Sequence, residues 1–170
     1  MRPMRTILFS VVLTLVVFST VTYTACTKKN HCLNVVCANG GLCDGGNCQC
    51  LVGYEGSRCE ILSRDKFVNT YNGNDLCGNF NGHTYDQYPI RLFVVRTDSI
   101  ELLMQNILNN SQDSAICTMV ASDSFNFQGV NNSTTYYGYG KLRNDSLWLN
   151  YHVQHDTSSY NCHYFGIGLH

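Results

Sequence analysis

The chain has 170 residues, 11 Lys and Arg against 12 Asp and Glu, a formal net charge of −1, and 14% charged residues alongside 10 Cys, 11 Tyr and 8 Phe. The charge balance excludes an electrostatic nucleic-acid binder, which needs a basic surface, and the aromatic content excludes a disordered chain. So many cysteines imply a disulfide framework or a metal framework.

The chain opens with Arg2 and Arg5, then an uncharged apolar stretch from Ile7 to Ser19. That stretch is shorter than the ~20 residues a spanning helix needs and has the make-up of the apolar centre of an export signal. We expect residues 1–25 to be a signal peptide and no membrane-spanning helix to remain after its removal. Tyr23-Thr24-Ala25-Cys26 then resembles a bacterial lipobox, in which a small residue precedes the cysteine that is cleaved and acylated. The resemblance implies lipidation of Cys26, a tether over residues 26–31, and a lipoprotein of the cell envelope, on the outer membrane. The alternative is plain secretion. Lys28 and Lys29 stand where surface-exported lipoproteins of Bacteroidota carry acidic residues, which points to the periplasmic side. Cleavage leaves 9 basic and 12 acidic residues, so any membrane attachment rests on the lipid rather than on a polybasic patch.

Six cysteines follow in the pattern C-x4-C-x5-C-x4-C-x-C-x8-C, namely Cys32, Cys37, Cys43, Cys48, Cys50 and Cys59, with Gly53-Tyr54-Glu55-Gly56 inside the last gap. Residues 32–61 closely resemble an epidermal growth factor (EGF)-like module. The resemblance implies the pairs Cys32–Cys43, Cys37–Cys48 and Cys50–Cys59. Leu33, Val35, Val36, Leu42 and Leu51 are too few to form a core, so the bridges must hold the segment together. Cys48-x-Cys50 is not a zinc spacing. Thr27 to His31 lacks the acidic residues of calcium-binding members, so neither zinc nor calcium is expected.

After a charged stretch, Glu60 to Asp65, the rest of the chain alternates apolar and polar residues with period two. Eight strands are expected, near 67–72, 86–96, 99–107, 116–121, 124–128, 135–142, 146–153 and 162–169. They are broken by clusters such as Asn72-Gly73-Asn74 and Asn131-Asn132-Ser133. The fold class is therefore mainly β: the EGF-like module, then an antiparallel up-and-down barrel or curved sheet over 66–170. Phe67-x3-Tyr71, the run Tyr136-Tyr137-Gly138-Tyr139-Gly140 and a terminal cysteine strand resemble small lipocalin-like barrels of Bacteroidota lipoproteins. Asp156 to Cys162 also resembles an immunoglobulin strand F, but only eight residues follow Cys162, too few for the strand G such a sandwich requires.

In an even-stranded closed meander the first and last strands pair, which brings Cys77 beside Cys162. We expect a bridge there and a reduced, buried Cys117. No catalytic, cofactor or metal residues are assigned. His31, His83, His152, His155, His163 and His170 read as surface or turn residues, Glu101 as solvent-facing, and the aspartates as turn formers. Asn109, Asn131, Asn132 and Asn144 open N-x-S/T triplets, which read as turns in a bacterial host and as glycosylation acceptors in a eukaryotic one. Tyr137 and Tyr139 share a face opposite Tyr136 and suit either cross-strand packing or contact with a protein or glycan partner. The expectation is a non-enzymatic envelope lipoprotein with an EGF-like spacer or contact module and a barrel that serves as an interaction domain. The alternative is a carrier of a small apolar ligand inside the barrel.

Overall fold

The computed structural model describes residues 31–78, 83–96 and 100–169, together with Leu13, Leu15 and Val16; for residues 83–86 only the backbone is described. Cys26, nearly all of the leader, the tether up to Asn30, and His170 lie outside the described residues. Among the described residues no helix is long and apolar enough to cross a membrane.

The N-terminal module is built from two short antiparallel pairs. Strand β1 (Leu42–Asp44) pairs with β2 (Asn47–Gln49), placing Cys43 opposite Cys48, and β3 (Tyr54–Glu55) pairs with β4 (Ile61–Leu62). Gly45 and Gly46, at φ +58° and +94°, make the two-residue turn that joins β1 to β2. Its apolar side chains do not form a core: Leu33, Val36 and Leu42 are all exposed. Three disulfides hold it instead, Cys32–Cys43, Cys37–Cys48 and Cys50–Cys59. Gly41 is packed so closely that an added Cβ would lie 2.7 Å from Cys59 Sγ.

The remainder is a closed, eight-stranded antiparallel barrel. Its strands are β5 (Asn69–Cys77), β6 (His83–Val94), β7 (Glu101–Gln105), β8 (Ser114–Ala121), β9 (Ser124–Asn131), β10 (Thr134–Arg143), β11 (Ser146–His155) and β12 (Ser158–Gly168). Each pairs with its chain neighbours, and β12 returns to pair with β5. Closure removes the free edges that an open sheet exposes. The immunoglobulin resemblance thus gives way to a barrel in which Asp156 and Thr157 form the turn between β11 and β12, and the last strand opens at Ser158.

The sequence expectation needs correction at several places. The first barrel strand runs on to Cys77, so Asn72-Gly73-Asn74 is not a turn but the site of a register shift against β6. A Cβ on Gly73 would sit 2.0 Å from the Phe165 carbonyl oxygen, so glycine is there because β12 passes too close for a side chain. In β12, Phe165 and Ile167 face outward while Gly166 and Gly168 lie on the buried face. The reason lies at Tyr164, whose ring occupies the space a Gly166 side chain would need. Ala121 is exposed, past a second register shift, while Cys117 and Met119 are buried.

Glu60 to Asp65 is no open linker. Residues Ser63–Phe67 form a 3-10 helix at the barrel end nearest the module. Phe67 is fully buried with its ring edge-on to Phe125, centroids 5.3 Å apart. The Arg64 guanidinium, also buried, donates to the Arg96 carbonyl at 2.5 Å. The module rests against this end: Ser63 N–H donates to Gly53 O at 2.9 Å, Lys66 pairs with Glu55 at 2.8 Å, and an added Cβ on Gly53 would meet Ile100 at 2.4 Å.

Candidate functional site

Two regions could carry function, the barrel interior and its outer face. The interior is filled. Tyr71, Tyr88, Tyr164, Phe67, Phe125 and Met104 are among its fully buried side chains, with tilted ring contacts from Phe125 to Phe127 and from Phe127 to Tyr151. Aromatic residues of this size occupy the bore of an eight-stranded barrel.

Within that packing sits a carboxyl group that sequence reasoning assigned to a turn. Asp75 is buried on β5, and its Oδ2 accepts hydrogen bonds from the Tyr88 and Tyr151 hydroxyls. Its Oδ1 is buried with no hydrogen-bond partner. Burial raises the Asp75 pKa above the ordinary aspartate value, against the opposing pull of the Tyr151 and Tyr88 hydrogen bonds and of His163. Burial likewise raises both phenols, and proximity to Asp75 adds to the rise. Tyr164 donates to the carbonyls of Tyr71 (2.7 Å) and Tyr88 (3.2 Å), and desolvation pushes the Tyr71 phenol up to about 12. A second buried carboxylate, Asp113, accepts from Tyr136 and from Asn131. The alternation of β5 could have revealed Asp75, since it shares parity with Tyr71, Gly73 and Cys77.

Cys77 and Cys162 face each other across the β5–β12 seam and are joined, with Cα atoms 4.1 Å apart. Cys117 is a free, buried thiol, and desolvation raises its pKa. Burial and the lack of a cationic neighbour suit a structural rather than a reactive cysteine.

The histidines do not converge. His152 faces Asn161 (Nδ1 to Oδ1, 2.9 Å), His163 faces Asn150 (2.5 Å), and His155 lies beside Thr134 Oγ1 at 2.7 Å. Among the described residues no three His, Cys, Asp or Glu side chains group as metal ligands. His31 is exposed, and the side chain of His83 lies outside the described set. Glu101 is half-buried.

The outer face of β8–β12 is the more open surface. Tyr137, Tyr139, Trp148 and Phe165 point outward, between 37% and 46% exposed. Strand register orders them into rows. Ile116, Gln128, Tyr137 and His152 form one, and Thr118, Asn126, Tyr139, Asn150 and His163 the next. Lys141, Trp148 and Phe165 form a third. A groove of about 510 Å³ lies over β8–β10 between Ile116, Asn126, Tyr137 and Tyr139, and a hollow of about 170 Å³ continues from Tyr139 to Trp148 and Arg143.

No protein-family model matches the chain, and no solved structure matches it. One curated relative does. The chain is 35% identical over 66 residues to the mouse "Basement membrane-specific heparan sulfate proteoglycan core protein". The match covers 35% of this chain and 2% of that protein, so it bears on one segment and not on the whole molecule. It fits a disulfide-rich, EGF-like segment.

Proposed function

We propose that the protein is a non-catalytic lipoprotein of the bacterial cell envelope, anchored through Cys26, in which the EGF-like module carries a barrel that acts as an interaction domain. The observation that carries this reading is the filled bore. With Tyr71, Tyr88, Tyr164 and Phe125 inside, contact with other molecules falls to the outer surface. Support for export comes from four disulfides, which persist in oxidising compartments, and from the leader and lipobox-like sequence. Support for a non-enzymatic role comes from the dispersed histidines and from two buried aspartates, Asp75 on β5 and Asp113 just ahead of β8, that are each hydrogen-bonded to neighbouring side chains. The module serves as a fixed pedestal, because the 3-10 helix and the Gly53–Ile100 contact seat it on the barrel's end. The acyl chains are the membrane partner, and neither calcium nor nucleic acid takes part.

Intact mass analysis of the protein extracted from the membranes of its own host tests the anchor. The expected species begins at Cys26 and carries two or three acyl chains. An unmodified soluble chain would overturn the lipoprotein reading and leave plain secretion.

A further inference from the structure

The rows on the outer face of β8–β12 carry more information than exposure alone. In the first, Tyr137 stands between Gln128 and His152, and in the second Tyr139 stands between Asn126 and Asn150. Each ring therefore has a polar group on both sides across the sheet. The ring contacts run along the same face, Tyr137 to His152 with centroids 5.1 Å apart and Trp148 to Phe165 at 4.5 Å. From β8 to β12 these rows hold no carboxylate. Lys141, at the edge, is paired with Asp123 at 2.8 Å.

That alternation discriminates between occupants. A protein partner seated here would bury the amides of Asn126, Gln128 and Asn150 against its own apolar contacts, and a buried amide without a partner is costly. A long anion would want several free cations along its length, whereas the rows carry Lys141, paired with Asp123, and the hollow adds Arg143 at one end. A polyhydroxylated neutral chain satisfies both kinds of group together, because its C–H faces stack on aromatic rings while its hydroxyls reach the amides alongside. The groove and the hollow share Tyr139 in their walls, so they lie side by side across β8–β11.

We infer that the outer face of β8–β11 is a binding track for a neutral oligosaccharide, with Tyr137, Tyr139 and Trp148 as stacking platforms and Asn126, Gln128 and Asn150 as hydroxyl partners. The inference rests on the reading of the barrel as an interaction domain and does not depend on how the chain is anchored.

Affinity electrophoresis of the full detergent-solubilised chain tests it, in native gels that contain soluble glucan, mannan, xylan or galactan, with heparin as an acidic comparison. At least one neutral polymer retards the protein. Tyr139→Ala and Trp148→Ala each weaken that retardation about tenfold, the scale of a single aromatic contact, and Trp148→Phe keeps most of it. Both side chains point outward, and unchanged thermal melting verifies the fold of each variant. Failure of all four neutral polymers, retardation by heparin alone, or retardation indifferent to both alanine variants overturns the inference. So does a dimer, seen by sedimentation, that either alanine variant dissociates, because the face would then be an interface between copies. Any of these results leaves the mass test of the anchor standing on its own.

Discussion

Asp75 places a carboxyl among aromatic rings, where one oxygen accepts from two phenols and the other has no partner. Burial raises its pKa, so the folded state holds the proton more tightly than the unfolded chain does. The contribution to stability is therefore complete below the ordinary aspartate value of 3.8 and is lost as pH rises through the folded-state value. Tyr88, Tyr151 and Tyr164 titrate far higher, and His163 acts on Asp75 in the opposite sense to burial. Asp75→Asn keeps an acceptor for the two hydroxyls and removes the titration. In urea midpoints measured between about pH 4 and pH 8, the wild type loses stability relative to Asp75→Asn as pH rises. Parallel pH profiles would refute this account of the site. The sequence made Asp75 hard to recognise because Gly73 and Asn74 beside it have turn chemistry. Only the closeness of β12 to Gly73 shows that this chemistry serves a register shift within a strand.

At the scale of elements, two devices close the barrel. One is the Cys77–Cys162 bridge, which joins the first barrel strand to the last over a sequence separation of 85. A loop of that length gives a chain-entropy stabilisation on the order of 4–5 kcal/mol. The double variant Cys77→Ala/Cys162→Ala should lower the unfolding free energy by about that amount in denaturant titration. A loss under about 1 kcal/mol would show that closure of the sheet does not depend on the bridge. The second device is the 3-10 helix Ser63–Phe67, which inserts Phe67 against Phe125. Phe67→Ala removes a fully buried ring and should cost about 3–5 kcal/mol, read from the same titrations. An unchanged midpoint would mean that the helix merely covers the barrel end. The strands themselves were legible because Leu147, Leu149, Tyr151 and Val153 alternate with Trp148, Asn150 and His152, and all four are buried. The helix was not. Arg64 and Lys66 gave its short span the look of a solvated linker, and only tertiary packing buries Arg64. In β12 the alternation holds with Phe165 and Ile167 outward, and a glycine stands inward at 166 because the Tyr164 ring takes the space its side chain would need.

For the molecule as a whole, the arrangement has a direction. The described chain passes from a bridge-held module through a helix at one end of the barrel, and only then into the closed sheet. The cysteine spacing made the module readable, since its small size leaves covalent bridges as its main support. The outer face was half-readable. Tyr137 and Tyr139 were visible as a same-face pair, but the amides that flank them come from β9 and β11, and strand register alone brings these together. The molecule can make contacts either inside the barrel or outside it. Native mass spectrometry of the protein purified from its own host decides between them. A filled bore gives one species, the chain with its covalent acyl groups, four disulfides and nothing bound that gentle activation releases. A co-purifying small apolar molecule, released on activation and held in a one-to-one ratio, would contradict it and make the protein a carrier.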